Sequence, residues 1–184
     1  LVSMVFASRV MGLIRDRLLS ARFAPDELGV YFAAFRIPNL LFELLIMGAL
    51  TSAFIPVFTK YLSHGEEDNG WKMTSTLINV TLILLTILSV PMLVWTHALS
   101  RLMAPGFSPE QINEMASFTR FMIMFQVLPL LVGSFFTGLL QSYHLFIIPA
   151  VAPVVYNIGI IIGILVLSPS MGLYGAVLGV GIGA

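Results

Sequence analysis

Cysteine is absent from this 184-residue chain, which removes disulfides, thiolate metal sites and cysteine nucleophiles together. Charge is scarce as well: 10% of residues are Asp, Glu, Lys or Arg against 58% hydrophobic, and mean hydropathy is +0.98. A soluble domain carries roughly 25% charged and about 45–50% apolar residues. Nine basic side chains balance nine acidic ones, so no net field gathers a polyanion such as nucleic acid. Conventional catalytic motifs are also missing. There is no His-Glu-x-x-His pair, no phosphate loop ending in Gly-Lys-Ser/Thr and no nucleophile elbow. His64, His97 and His144 fall in three separate segments, so no metal site is expected. These shortages exclude a soluble enzyme, a disordered tail, a disulfide scaffold and a basic nucleic-acid binder. What they leave is a polytopic membrane protein.

Long uncharged runs are what the chain has in their place. No charged residue lies between Lys72 and Arg101, and none follows Arg120. Crossing about 30 Å of hydrocarbon takes roughly 20 apolar helical residues, so 73–95 predicts one span. The stretch after Arg120 is too long for one helix. Gln141-Ser142-Tyr143-His144 and Ser168-Pro169-Ser170 divide it into spans near 121–140 and 146–167, with a third beginning near Leu173. The first sixty residues are apolar but interrupted by Arg9, Arg15, Asp16, Arg17, Arg36, Pro38, Glu43 and Pro56. The whole reads as a single all-α transmembrane helical bundle over 1–184, with about six membrane segments near 1–21, 30–60, 73–100, 112–141, 145–167 and 172–184. Uniformly apolar rather than alternating runs argue against a barrel. The chain starts without Met and closes inside Gly181-Ile182-Gly183-Ala184, and is expected to be a piece of a longer protein.

Three local features carry further expectations. Ser108-Pro109-Glu110-Gln111 predicts a capped helix start, with Ser108 as N-cap and Gln111 as reciprocal partner. Glycines at 175, 179 and 183 are spaced for close helix packing. Gln126 and Asn157, polar within apolar runs, are expected to bond between helices. Charge placement gives a mixed answer on orientation. Arg15, Arg17 and Arg22 flank the first loop while only Lys60 and Lys72 flank the second, which taken alone puts the first loop in the cytoplasm.

Ionisable residues inside apolar segments are the unusual feature. Each costs at least ~2.5–3.5 kcal/mol near the bilayer centre, so it faces a cavity or a partner. Arg9 and Asp16 are seven apart, on one helix face, and so are Arg36 and Glu43. One reading makes Arg15, Arg17 and Arg22 interfacial snorkelling groups and Arg36–Glu43 a structural pair. The other makes the arginines a cationic wall for a phosphate-bearing substrate, because the guanidinium fork binds phosphate oxygens bidentately. Prolines 38, 56, 91, 129, 149 and 153 fall within segments and should bend or break them.

Five landmarks occur in order: Ser8-Arg9-Val10-Met11-Gly12-Leu13-Ile14-Arg15-Asp16, Phe32-Ala33-Ala34-Phe35-Arg36-Ile37-Pro38-Asn39-Leu40-Leu41, Gly48-Ala49-Leu50-Thr51-Ser52-Ala53-Phe54-Ile55-Pro56-Val57-Phe58, Ala104-Pro105-Gly106-Phe107 and Ile148-Pro149-Ala150-Val151-Ala152-Pro153. Together they resemble the lipid II flippase family (MurJ/MviN) of the multidrug/oligosaccharidyl-lipid/polysaccharide exporter superfamily. The resemblance implies the N-terminal half of a fourteen-helix exporter of the bacterial inner membrane. Its implied activity is alternating-access transport of a polyprenyl-pyrophosphate-linked cell-wall precursor. Arg9 and Arg15 would bind the pyrophosphate, Asp16, Arg36 and Glu43 would shape the cavity's field, and Pro38 and Pro56 would let helices bend. No catalysis and no cofactor are implied, with a coupling ion left open. Implied partners are membrane lipids, the missing C-terminal half or a second copy, and cell-wall synthesis proteins. The amino terminus and the 64–71 loop would be cytoplasmic and the 104–110 loop periplasmic, opposite to the charge count. The chain departs from the family pattern at Gly29, at Phe42-Glu43 and at Met47. An exporter of another polyprenyl-linked glycan or of cationic drugs therefore stays open, as does a non-transporting scaffold.

Overall fold

Prolines and capping groups set several helix boundaries in this chain, while Pro91 and Pro153 fall inside continuous helices rather than breaking them. In the computed structural model, residues 2–46 and 54–184 are described. Eleven α-helices run through them, and no strand occurs among the described residues. Helix α1 (Val2–Arg22) is continuous, despite five charged side chains. The Ala24-Pro25 step ends that stretch and starts α2 (Pro25–Ala34), where the Glu27 carboxylate accepts the Ala24 N–H at 2.8 Å. Pro25 at the first helical position leaves no donor unmet.

The passage from α2 to α3 (Arg36–Ile46) is a proline effect. Pro38 has no N–H for the Ala34 carbonyl, its partner one turn back. Helix α2 ends at Ala34, and the buried Thr119 hydroxyl donates to that carbonyl at 3.1 Å. A neighbouring helix has supplied the bond that proline removed. Helix α4 (Ile55–Ser63) follows with Pro56 in its first turn. The segment Met47–Ala53, with most of the Gly48–Phe58 landmark, lies outside the described residues.

Helix α5 (Glu67–Val94) has 28 residues, longer than the 73–95 span expected because Glu67 and Asp68 form its first turn. Helix α6 (Thr96–Met103) is short, and α7 (Pro109–Met122) opens as expected. The Gln111 N–H donates to the Ser108 hydroxyl at 3.3 Å, and the Ser108 N–H donates to the Gln111 side chain at 2.9 Å.

Helix α7 widens into a π-helical turn at Ile123–Val127 and continues as α8 (Leu128–Ser142). Helix α9 (Ile147–Ile162) does the same at Gly163–Leu167 before α10 (Ser168–Met171). Each widened turn contains the residue four before a proline, Phe125 before Pro129 and Leu165 before Pro169. The wider turn makes room for the pyrrolidine ring. Gly172, at φ 58 and ψ −141, then reverses the chain into α11 (Leu173–Gly183). Only glycine adopts that backbone freely.

Four of these helical stretches, Pro25–Leu45, Glu67–Val94, Pro109–Ser142 and Ile147–Met171, are long and apolar enough to cross a membrane. With the charged α1 and the shorter α11 they make an all-helical membrane bundle of about six segments. Its interior is two clusters. Leu19, Tyr31, Met115, Phe118, Ile164 and Val177 anchor one. Ile37, Leu41, Phe54, Phe58, Leu131 and Phe135 anchor the other. In lipid such packing rests on van der Waals contact rather than on expelled water. The tightest seam is glycine-made: a Cβ added at Gly163 would lie 2.6 Å from the Gly179 Cα, and one at Gly179 would lie 2.9 Å from the Gly163 Cα. The expected glycine packing of α11 is therefore present, directed at α9.

Candidate functional site

Residue order on α1 and α9 brings the polar groups together. Side chains on a helix lean toward its N-terminus, and Arg15 reaches across to α9. There its Nη1 donates to the Asn157 side-chain oxygen at 2.9 Å. Its Nε donates to the Asp16 carboxylate at 2.9 Å, with Nη2 2.8 Å from the same oxygen. Asn157 is buried and donates to the Pro153 carbonyl at 2.9 Å and the Ser8 carbonyl at 3.4 Å. Helices α1 and α9 are thus tied by side chain and backbone at once.

Arg15 lines a cleft of about 280 Å³ with Tyr31, Phe32, Phe35, Asn39 and Tyr156. Tyr31 meets Phe32 and Phe35 edge to face at 5.3 and 5.2 Å, which gives the cleft a rigid apolar wall. A second cleft of about 400 Å³ shares Asn39 and Tyr156 and continues past Phe42, Gln126, Ser134 and Thr137. Gln126 Nε2 donates to the Tyr156 hydroxyl at 3.1 Å. Its Oε1 is buried and has no partner among the described residues. Gln126 and Asn157 both bond between helices, as expected. The arrangement offers one guanidinium, two phenols and a carboxamide around a volume walled by aromatic rings. That chemistry suits an anion carrying a hydrogen-bonding appendage.

The ion pair at the site is half open. The Arg15 side chain is 24% exposed and that of Asp16 51%, so water weakens their attraction. A more highly charged ligand could exchange for the carboxylate. Of the other charged candidates, Asp16 alone contacts Arg15. Arg9 is exposed on α1 and does not line the cleft. Asp16 pairs with its neighbour Arg15 rather than with Arg9 on its own face. Arg36 donates to the Met103 carbonyl at 2.7 Å, at the end of α6, while Glu43 is exposed on α3. The pairing that their spacing allows is not made, because the start of α3 faces the end of α6. Arg22 donates to the Ile164 carbonyl, in the widened turn of the α9 helix, at 3.0 Å. Pro38 is buried just past the α2–α3 break and Pro56 is exposed at the start of α4.

Sequence reasoning does not single out Tyr31, Tyr156 or Asn39 as site residues. Tyrosine inside an apolar run was the available signal, since a buried phenol needs a partner. Away from the spans, Tyr143 donates to the Glu67 carboxylate. That bond holds the Tyr143 phenol above its ordinary pKa and ties the end of α8 to the start of α5.

The sequence model of a family described as lipid II flippase MurJ matches residues 23–184. A probable lipid II flippase MurJ of Buchnera aphidicola subsp. Acyrthosiphon pisum (strain APS) is 30% identical over 161 residues, covering 86% of this chain and 31% of the relative. One from Borreliella burgdorferi is 29% identical over 178 residues, covering 95% and 34%. A lipid II flippase MurJ of Burkholderia cenocepacia is 28% identical over 166 residues, covering 89% and 32%. Among solved structures, lipid II flippase MurJ in an inward closed conformation superposes with a TM-score of 0.82 at 27% identity, over 98% of this chain and 38% of that one. The chain spans about a third of the length of the curated relatives it matches.

Proposed function

This chain belongs to the lipid II flippase MurJ family, and on that premise we propose that it forms the anion-binding wall of a transporter for a polyprenyl-pyrophosphate-linked peptidoglycan precursor. The observation that carries the reading is Arg15, which lines an aromatic cleft and is held by Asp16 and Asn157. A cation within an apolar bundle is costly, and a guanidinium is the group best shaped for pyrophosphate oxygens. Arg15 takes the pyrophosphate as Asp16 yields its place, and Arg9 supplies a second positive charge on the same helix. Arg36 and Glu43 act at longer range on the cavity's field. The proline-made break between α2 and α3 lets the wall bend as access alternates between the two sides of the bacterial inner membrane.

In this reading the protein is a transporter and not an enzyme: no bond is made or broken and no cofactor takes part, apart from any coupling ion. The rest of the same transporter, or a second copy, closes the cavity. Membrane lipids surround it, and cell-wall synthesis proteins are its working neighbours. The experiment is rescue of bacteria depleted of their own lipid II flippase by the complete gene product. The parent is expected to restore growth, and Arg15→Ala and Arg9→Ala, inserted at equal levels, are expected not to. Full rescue by Arg15→Ala would remove the arginine from the substrate path.

A further inference from the structure

Asn157 does more than join two helices, because the orientation of its amide is dictated. Both hydrogens of its Nδ2 have carbonyl acceptors, Pro153 on its own helix at 2.9 Å and Ser8 on α1 at 3.4 Å. Turning the amide over would set its oxygen against those two carbonyls and its hydrogens against a guanidinium. The side-chain oxygen therefore faces Arg15 Nη1, at 2.9 Å. Ser8 and Arg15 are seven residues apart, two turns along one face of α1, and Asn157 engages both. Asp16 alone grips the guanidinium at its Nε and Nη2 side. With only that contact the group could swing about the carboxylate. The second contact, from a different helix, fixes its plane.

We propose that Asn157 is the positioning residue for Arg15: it sets the plane in which the guanidinium is presented to a diphosphate, and it does not itself touch the ligand. This rests on the reading of Arg15 as the pyrophosphate-binding group. Asn157 is absent from the lining of the 280 Å³ cleft while its neighbour Tyr156 is present, as expected of a residue that works from behind. A guanidinium already fixed in its binding orientation loses less freedom when a bidentate anion arrives. Because the clamp joins α1 to α9, the pose of Arg15 also depends on the spacing of those helices. A transporter that changes that spacing changes its grip on the anion.

The test is a double-mutant cycle in the complete gene product, held in bilayer nanodiscs, with undecaprenyl diphosphate as probe and undecaprenol as its uncharged counterpart. Asn157→Leu keeps the bulk and removes the acceptor. It is expected to weaken diphosphate binding about tenfold, the scale of one hydrogen bond to a charged group, and to leave undecaprenol binding unchanged. Added to Arg15→Ala, it is expected to change diphosphate binding less than twofold, since a residue acting only through Arg15 has nothing left to act on. Asn157→Ser is the second variant. Its hydroxyl can still bond the Pro153 carbonyl one turn back but is too short to reach Arg15, and it should repeat the loss if the leucine variant folds poorly. Three results would overturn the positioning role: parent-like affinity in both Asn157 variants, an equal loss for undecaprenol, or a full loss from Asn157→Leu on top of Arg15→Ala. Parent-like binding by Arg15→Ala alone would instead show that the underlying pyrophosphate reading had failed, and the positioning role would fall with it.

Discussion

The two sides of the α9 helix solve opposite problems. Toward α11 its closest approaches are made by glycine: Gly159 and Gly163 meet Gly175, Gly179 and Gly183 with backbone against backbone. Elsewhere it presents polar groups: Asn157 bonds Arg15 and Ser8 of α1, and Tyr156 takes a bond from Gln126 in the widened turn between α7 and α8. Within lipid both are ways of holding helices together without expelled water. The glycine side has one geometry and tolerates no substitute. The polar side is built of side chains that can exchange partners. The first fixes the spacing of two helices, and the second holds side chains of neighbouring helices in place. A helix that must both belong to a bundle and open onto a cavity needs the two together.

Substitution on the glycine side should do the most damage. In Gly163→Leu the new Cβ meets the backbone of Gly179 at 2.6 Å rather than a flexible side-chain tip. We expect a loss of roughly 3 kcal/mol or more, read as a collapse of the detergent melting temperature and of membrane insertion yield. A smaller cost is expected beside the polar side, at Thr119. Thr119→Val strands the Ala34 carbonyl that Pro38 has already deprived of its helical partner. About 1 kcal/mol should be lost, and hydrogen exchange at the α2–α3 break should quicken while the α9–α11 seam stays protected. The smallest effect is expected at Gln126. Replacing it by leucine forfeits the bond to Tyr156 but also removes a buried carbonyl that has no partner among the described residues. The two terms oppose each other, and thermal melts of Gln126→Leu should move by less than about 1 kcal/mol. A large loss there would mean that the polar side is as rigid as the glycine one.

What could be read without the structure follows the same division. Local rules needed only neighbours in sequence. The Ser108–Gln111 cap, the small-residue spacing of α11 and the uncharged stretches that become spans are all encoded within a few turns of chain. Arg15 and Asp16 stood out because charge inside an apolar run is expensive wherever the run goes. The site's other members depend on which faces meet. Tyr31 and Asn39 lie on either side of a helix break, and Tyr156 sits on a distant helix beside a residue, Asn157, that had drawn notice for another reason. Seven-residue spacing put Arg36 within reach of Glu43, yet the start of α3 lies against the end of α6, where the Met103 carbonyl is the nearer acceptor.

Composition and spacing were enough to identify a helical membrane protein, to place most of its spans, and to single out the arginine-bearing helix that is out of keeping with lipid. They suffice because the cost of charge and of an unbonded backbone in hydrocarbon applies segment by segment. That Arg15 alone of those charges lines the aromatic cleft came from the packing of the helices. A guanidinium's partners lie on the helices packed beside it, and here one of the two that hold Arg15 is 142 residues away along the chain.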